Sequence, residues 1–334
     1  MSPWPQLLLM LIIILIAAQL FSNALEYFGE RVGISSGVIG SIFAAISTAL
    51  PETTIPILAL LAGTSDKHTN EEISVGAILG APLMLSTLSI FIMALFVIRK
   101  RTLFGKICPE ETGFKRDLNF FIMSFFIAAA AMFVPLEPVY PRAAISILLV
   151  SLYITYVFLT FRASNNLVKK GHGITISEPL FMTKLGLSNN MTTILIQLVL
   201  GFVLLILGAK GFINNVVDAS HALGISTLLL SLLIIPLATE FPEKVNSVLW
   251  VRKNKDTLGV GNITGAMVFQ GTLLPAIGIL LTPWQPNKIV LTGVVIAFMA
   301  AVWLRLSISK KGLAIASLFL NGLLYVVYLC LVFL

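Results

Sequence analysis

Charge is what this 334-residue sequence has least of: Asp, Glu, Lys and Arg make up 11% of it and hydrophobic residues 57%, where soluble proteins carry about 25% charge. A chain so poorly solvated is not an ordinary cytoplasmic enzyme, a nucleic-acid binder or a disordered segment. Cysteine is nearly missing. Cys108 and Cys330 cannot build a disulfide framework, and Cys330, in the last apolar run, reads as a small buried apolar residue. His68, His172 and His221 fall in loops or at a run's edge, without the HExxH spacing of a zinc site. No GxSxG or Walker A pattern occurs, so energy from ATP within this chain is not expected.

Long apolar runs are what the sequence has instead. A bilayer core of about 30 Å takes roughly 20 apolar residues per helix. Runs of that kind fall near 7–25, 33–62, 73–98, 118–134, 141–161, 191–213, 224–250, 257–281, 288–304 and 312–334. The fourth and fifth are divided by a tight turn at Pro135, Pro138 and Pro141. The expected fold is an all-α polytopic membrane protein of ten transmembrane helices. Ser22-Asn23-Ala24 resembles a signal-peptide cleavage site, but no Lys or Arg precedes the first run, so it reads as a retained helix.

The formal charge of +7 comes from 22 basic residues that segregate by loop. One set of alternate loops holds 17: Arg31; the group from Arg99 to Arg116; Arg162 to Lys184; Arg252 to Lys255; and Arg305 to Lys311. The other set holds Lys67, Arg142, Lys210 and Lys288, and Lys244 lies within a span. The positive-inside rule assigns the 17-residue face to the cytoplasm and both termini to the outside. The charge therefore reports orientation and lipid contact, and needs no nucleic-acid partner.

The chain also repeats itself. Gly33-Ile34-Ser35, Thr48 and Pro51-Glu52 recur as Gly224-Ile225-Ser226, Thr239 and Pro242-Glu243, six identities in twenty positions at an offset of 191. Val75-Gly76 and Gly80-Ala81 recur as Val260-Gly261 and Gly265-Ala266 at an offset of 185. The copies begin five spans apart, so the second enters the membrane from the opposite side, the inverted-repeat pattern of alternating-access transporters. The halves are 1–162, with its repeat at about 33–98, and 191–334, with its repeat at about 224–281. A cytoplasmic linker, 163–190, joins them and is too short for a regulatory domain.

Glu52, Glu240 and Glu243 are the acids these boundaries place inside spans, and intramembrane acids mark function by default. Thr48 and Glu52 are four residues apart, as are Thr239 and Glu243, so each pair shares a helix face. Pro51 and Pro242 cannot bond to the carbonyls of Ser47 and Ala238. Each helix thus offers a carboxylate, a hydroxyl and a freed carbonyl, the hard oxygen donors Ca²⁺ requires. Lys244 adjoins Glu243, but successive helix residues point about 100° apart. Its stem is read as snorkelling towards Arg252 and the basic face. The Gly76/Gly80 and Gly261/Gly265 pairs read as close-packing positions. Thr87 and Thr272, which also match, carry little weight because hydroxyls are common in membrane helices.

These residues resemble the calcium/cation antiporters, and within them the sodium/calcium exchanger branch. The motif helices read Ile46-Ser47-Thr48-Ala49-Leu50-Pro51-Glu52 and Leu237-Ala238-Thr239-Glu240-Phe241-Pro242-Glu243. The second motifs read Gly76-Ala77-Ile78-Leu79-Gly80-Ala81-Pro82 and Gly261-Asn262-Ile263-Thr264-Gly265-Ala266-Met267. The resemblance implies that Glu52 and Glu243 are the central metal ligands, that Thr48 and Thr239 help hold Na⁺, and that carbonyls at Ala45 and Pro236 contribute. It also marks departures. Ala49 and Glu240 replace the serine after each threonine, and Ala81, Leu85 and Ala266 replace polar positions where only Gln270 keeps a side-chain oxygen.

The leading expectation is a secondary antiporter in the cell membrane, exchanging Ca²⁺ or another divalent cation for Na⁺ without a cofactor. Its partners are inorganic cations and lipids. Clustered, buried carboxylates favour a held proton, so H⁺ coupling is the alternative. An intramembrane hydrolase using paired acids and a non-transporting ion-binding homologue are the remaining readings.

Overall fold

A computed structural model of the chain describes residues 3–32, 44–168 and 179–334. It is helical nearly throughout: α1 Pro3–Arg31, α2 Ala44–Ala62, α3 Lys67–Met84, α4 Ile90–Arg101, α5 Glu111–Ala130, α6 Tyr140–Val168, α7 Met191–Leu223, α8 Thr227–Thr239, α9 Phe241–Arg252, α10 Asp256–Leu281, α11 Lys288–Ser307 and α12 Ile315–Phe333. A π-helical turn, Leu85–Ser89, joins α3 to α4, and two short strands, β1 Lys106–Ile107 and β2 Leu313–Ala314, pair antiparallel.

Among the described residues, eight helices are long and apolar enough to cross a membrane, and two shorter apolar stretches fall at Glu52–Ala62 and Thr227–Leu237. The eight coincide with eight of the expected spans. The other two, 33–62 and 224–250, carry the Pro-Glu motifs. Residues 33–43 lie outside the described residues, and the second motif span is two helices, α8 and α9, meeting at Glu240. The proline-rich turn between α5 and α6 falls where expected. Large side chains such as Ile147, Ile154 and Phe158 are exposed along one stripe of α6, the face an integral membrane protein presents to lipid. Cys330 is exposed on α12, contrary to its reading as buried; an apolar run in a bilayer has no polar face to mark which side is inside.

The chain forms two compact units, 1–70 with 157–225 and 71–156 with 226–334. In the first, α1 and α7 run antiparallel at backbone distance. A Cβ added to Gly201 would lie 2.8 Å from the Phe21 nitrogen, and one on Gly208 3.0 Å from Ile14. Small residues let membrane helices approach where lipid supplies no hydrophobic drive. Asn23, within α1, is buried and accepts from Gln197 Nε2 at 2.9 Å and the Phe181 N–H at 3.0 Å.

The second unit is tied at both ends. At one, Arg101 makes a bidentate pair with Asp256 at 2.6 Å, the Lys100 ammonium donates to the Arg252 carbonyl, and β1 meets β2. These loops all belong to the 17-residue basic set. At the other end the buried Arg142 guanidinium donates to the carbonyls of Val134, Ile279, Thr282 and Pro283, closing the C-terminus of α10. The Trp284 indole donates to Ala128 at 2.9 Å and packs where a Gly278 side chain would be.

Candidate ion site

The repeated Gly-Ile-Ser has a local explanation in its second copy. Gly224 takes a φ of +68° and ends α7, the left-handed stop that glycine adopts freely. Ser226 then opens α8 by accepting from the Leu229 N–H at 3.2 Å. Residues 33–35 of the first copy lie outside the described residues.

In α2 Glu52 is 4% exposed. Ala45, Ser47 and Thr48 lie on the same helix, but their side chains are outside the described residues. In the second unit the motif is interrupted. Pro242 has no N–H for the Ala238 carbonyl, and the chain turns through Glu240 at φ −89° and ψ −2° before α9 begins. Thr239 is buried and donates its hydroxyl hydrogen to the Ile235 carbonyl at 3.1 Å, which leaves its oxygen lone pairs as acceptors. The Pro236 carbonyl accepts the Glu240 N–H at 3.1 Å and retains a second lone pair. Gln270, on α10, is fully buried. The side chains of Ala238 and Glu243 are outside the described residues.

Pro236 also explains a glycine. Lacking an N–H, it leaves the Leu232 carbonyl without its helical donor, and Gly80 of α3 fits against that carbonyl so closely that a Cβ would stand 2.1 Å from it. Gly76 is likewise closed off, 2.8 Å from the Leu228 carbonyl. The packing reading holds for this pair. For the other pair, nothing among the described residues lies within 4 Å of a Gly261 Cβ and a Gly265 Cβ would touch the Tyr156 hydroxyl at 3.6 Å, while Gly37 and Ser41, the counterparts of Leu228 and Leu232, lie outside the described residues. Thr87 and Thr272 behave alike, each donating to the carbonyl four residues back in its own helix, Leu83 and Val268 respectively.

Two sequence readings are corrected here. Lys244 does not snorkel: it is 4% exposed, and its ammonium lies 3.3 Å from the Glu240 carboxylate, itself wholly buried. The signal was the Glu-x-x-x-Lys spacing of Glu240 and Lys244, one turn apart on a shared face. Nor are the three glutamates the only acids within apolar helices. Asp117, in α5, is 6% exposed, accepting from Thr264 Oγ1 at 2.7 Å and the Tyr156 hydroxyl at 3.2 Å. The expected fourth span began one residue too late to include it.

Long apolar helices, one of them broken at a buried carboxylate, define a polytopic membrane protein. The model of the family described as "Sodium/calcium exchanger protein" matches residues 2–162 and 193–334, and the chain belongs to that family, within the calcium/cation antiporter superfamily. The chain is 21% identical over 312 residues to the inner membrane protein YrbG of Escherichia coli (strain K12), covering 91% of this chain and 90% of that one. Its fold is similar to that of the H⁺/Ca²⁺ exchanger CAX, with a TM-score of 0.75 at 18% identity over 99% of this chain and 82% of that one. The sodium-calcium exchanger NCX_Mj is also similar, with a TM-score of 0.59 at 19% identity over 98% of both. The family's members are transporters, which sets aside the intramembrane hydrolase.

Proposed function

We propose that the chain is a secondary active antiporter that exchanges Ca²⁺, or another divalent cation, for Na⁺ by alternating access. Glu52 and Glu243 are the shared carboxylate ligands of one ion. Thr48, Thr239, Gln270 and the carbonyls of Ala45, Ser47, Pro236 and Ala238 complete an oxygen shell, and Glu240 adds charge beside it. The observation that carries this reading is the break at Glu240: Pro242 interrupts an apolar span where a buried hydroxyl, a buried carboxylate and a donor-free carbonyl coincide. Broken helices in transporters use their freed backbone in this way for cations.

The reading includes ten spans as two inverted five-helix repeats, 1–162 and 191–334, with 163–190 as cytoplasmic linker and both termini outside. Its support is local. Helices α1 and α7, five spans apart, are antiparallel neighbours. Alternate basic loops meet at one end of the second unit, and the loops around Val134 and Thr282 meet at the other. Thr87 and Thr272 make the same bond in both copies.

Coupling to H⁺ is the second reading, and a specific observation favours it. Ala81 and Leu85, at positions where the family carries polar groups, are buried and apolar, which removes oxygen donors a Na⁺ ion would need. Substituting Glu52→Gln or Glu243→Gln in proteoliposomes tests the site. Cation flux is expected to fall at least tenfold in each; flux unchanged in either rejects it.

A further inference from the structure

Turns between helices are built mostly from Gly, Pro, Asn, Asp and Ser, whose small or polar side chains suit a bend in water. The turn after α4 departs from this. Thr102, at a φ of 63°, donates its N–H to the Ile98 carbonyl, and the Gly105 N–H closes on the Thr102 carbonyl at 3.2 Å. Leu103 and Phe104 take the two central positions, 41% and 88% exposed. Neighbouring groups hold the turn in place: a Cβ on Gly105 would stand 2.0 Å from the Arg101 carbonyl, the Ile315 N–H donates to the Gly105 carbonyl, and the Arg101 guanidinium donates to that of Lys106. The exposure of these two apolar side chains is therefore built into the backbone.

We propose that this turn is a membrane-interface anchor, which seats Leu103 and Phe104 at the boundary between acyl chains and headgroups while flanking lysines hold anionic phospholipid. Two observations aim it at lipid. Along α4 the exposed residues include Leu95, Phe96, Arg99 and Lys100, a stripe at helical spacing that passes from apolar to basic, as a span does where it leaves the bilayer core, and runs on into the turn. The charge offered around the tip is of one sign. Lys106 opens β1, and across the ladder to β2 a second tight turn, Ser309 to Gly312, carries Lys310 and Lys311 exposed at its centre. Nearby acids are engaged: Asp256 by Arg101 and the Cys108 N–H, Glu110 by the N–H groups of Thr112 and Gly113, and Glu111 by Lys115. An apolar tip flanked by ammonium groups matches the interfacial layer of a bilayer that contains anionic lipid. The anchor is independent of which ion the protein moves.

The test uses purified full-length protein in nanodiscs of phosphatidylcholine, with and without phosphatidylglycerol. Phe104→Trp places an indole at the tip, and its emission is read as the difference from wild type, which has four tryptophans. Phosphatidylcholine brominated along its acyl chains should quench this added emission about twofold more than acrylamide does from the water side. Leu103→Trp gives the same reading if Phe104→Trp does not fold. Phosphatidylglycerol should raise the wild-type melting temperature by several degrees at low salt, because a ligand bound by the folded state stabilises it. The triple variant Lys106→Gln/Lys310→Gln/Lys311→Gln should lose most of that rise, as should wild type in high salt. Added emission that acrylamide quenches and brominated lipid does not places the tip in water and overturns the proposal. Protection from both quenchers overturns it in favour of a second copy or another protein over the tip. An equal rise in the triple variant, or none in wild type, removes the anionic headgroup and overturns it as well.

Discussion

Thr264 donates its hydroxyl hydrogen to Oδ2 of Asp117 at 2.7 Å, joining α10 to α5 inside the membrane span. The bond falls in the second glycine motif, between Gly261 and Gly265, and explains what a polar residue does there. Replacing Thr264 with Val should cost about 2 kcal/mol, the scale of a hydrogen bond to a charged group, whereas Ser should be nearly neutral. Thermal unfolding followed by fluorescence-detected gel filtration measures this. Equal melting temperatures for Val and Ser would show the bond to be unimportant.

Gly80 should not tolerate a side chain. A Cβ there meets the Leu232 carbonyl at 2.1 Å. Backbone cannot yield cheaply, so Gly80→Ala should sharply reduce folded yield or flux. Wild-type yield and flux in Gly80→Ala would mean that α3 does not seat on α8 as described.

Arg142 is predicted to hold the α10 terminus in place. Its guanidinium donates to four carbonyls from two segments, Val134 and the 279–283 end of α10, and Lys, a point donor without the planar fork, cannot do the same. Both Arg142→Lys and Arg142→Ala should lower the melting temperature, with a loss of stability on the order of 3 kcal/mol for Ala. A fully stable Lys variant would contradict this role.

Acid sensitivity should trace in part to Asp66, in the loop before α3. The Thr69 hydroxyl, then the Thr69 and His68 N–H groups, hold its carboxyl below the ordinary 3.8. A depressed folded value contributes stability that is present above the ordinary value and is lost as pH falls through the depressed one. Melting temperature should therefore drop below about pH 4, and Asp66→Asn should flatten that part of the curve. An unchanged curve in the variant would remove Asp66 from the account.

Much of this was legible from residues alone. Apolar runs located the long helices because a bilayer fixes their length, and Pro242-Glu243 identified the broken span because proline leaves a carbonyl behind. What was missed depended on a boundary or a partner. Asp117 sat one residue outside an assumed span. Lys244 was weighed against adjacent Glu243, when helical geometry faced it towards Glu240, four residues away.

The central claim, divalent cation antiport through Glu52 and Glu243, is tested most directly by a gradient-swap flux assay. Proteoliposomes with Ca²⁺ or Mn²⁺ as test cation receive either a Na⁺ gradient or a pH gradient, with Glu52→Gln in parallel. Uptake that follows the Na⁺ gradient and is lost in Glu52→Gln is the predicted result, and uptake that follows only the pH gradient selects the proton-coupled form. No uptake under either gradient, or a Glu52→Gln flux equal to wild type, would contradict it.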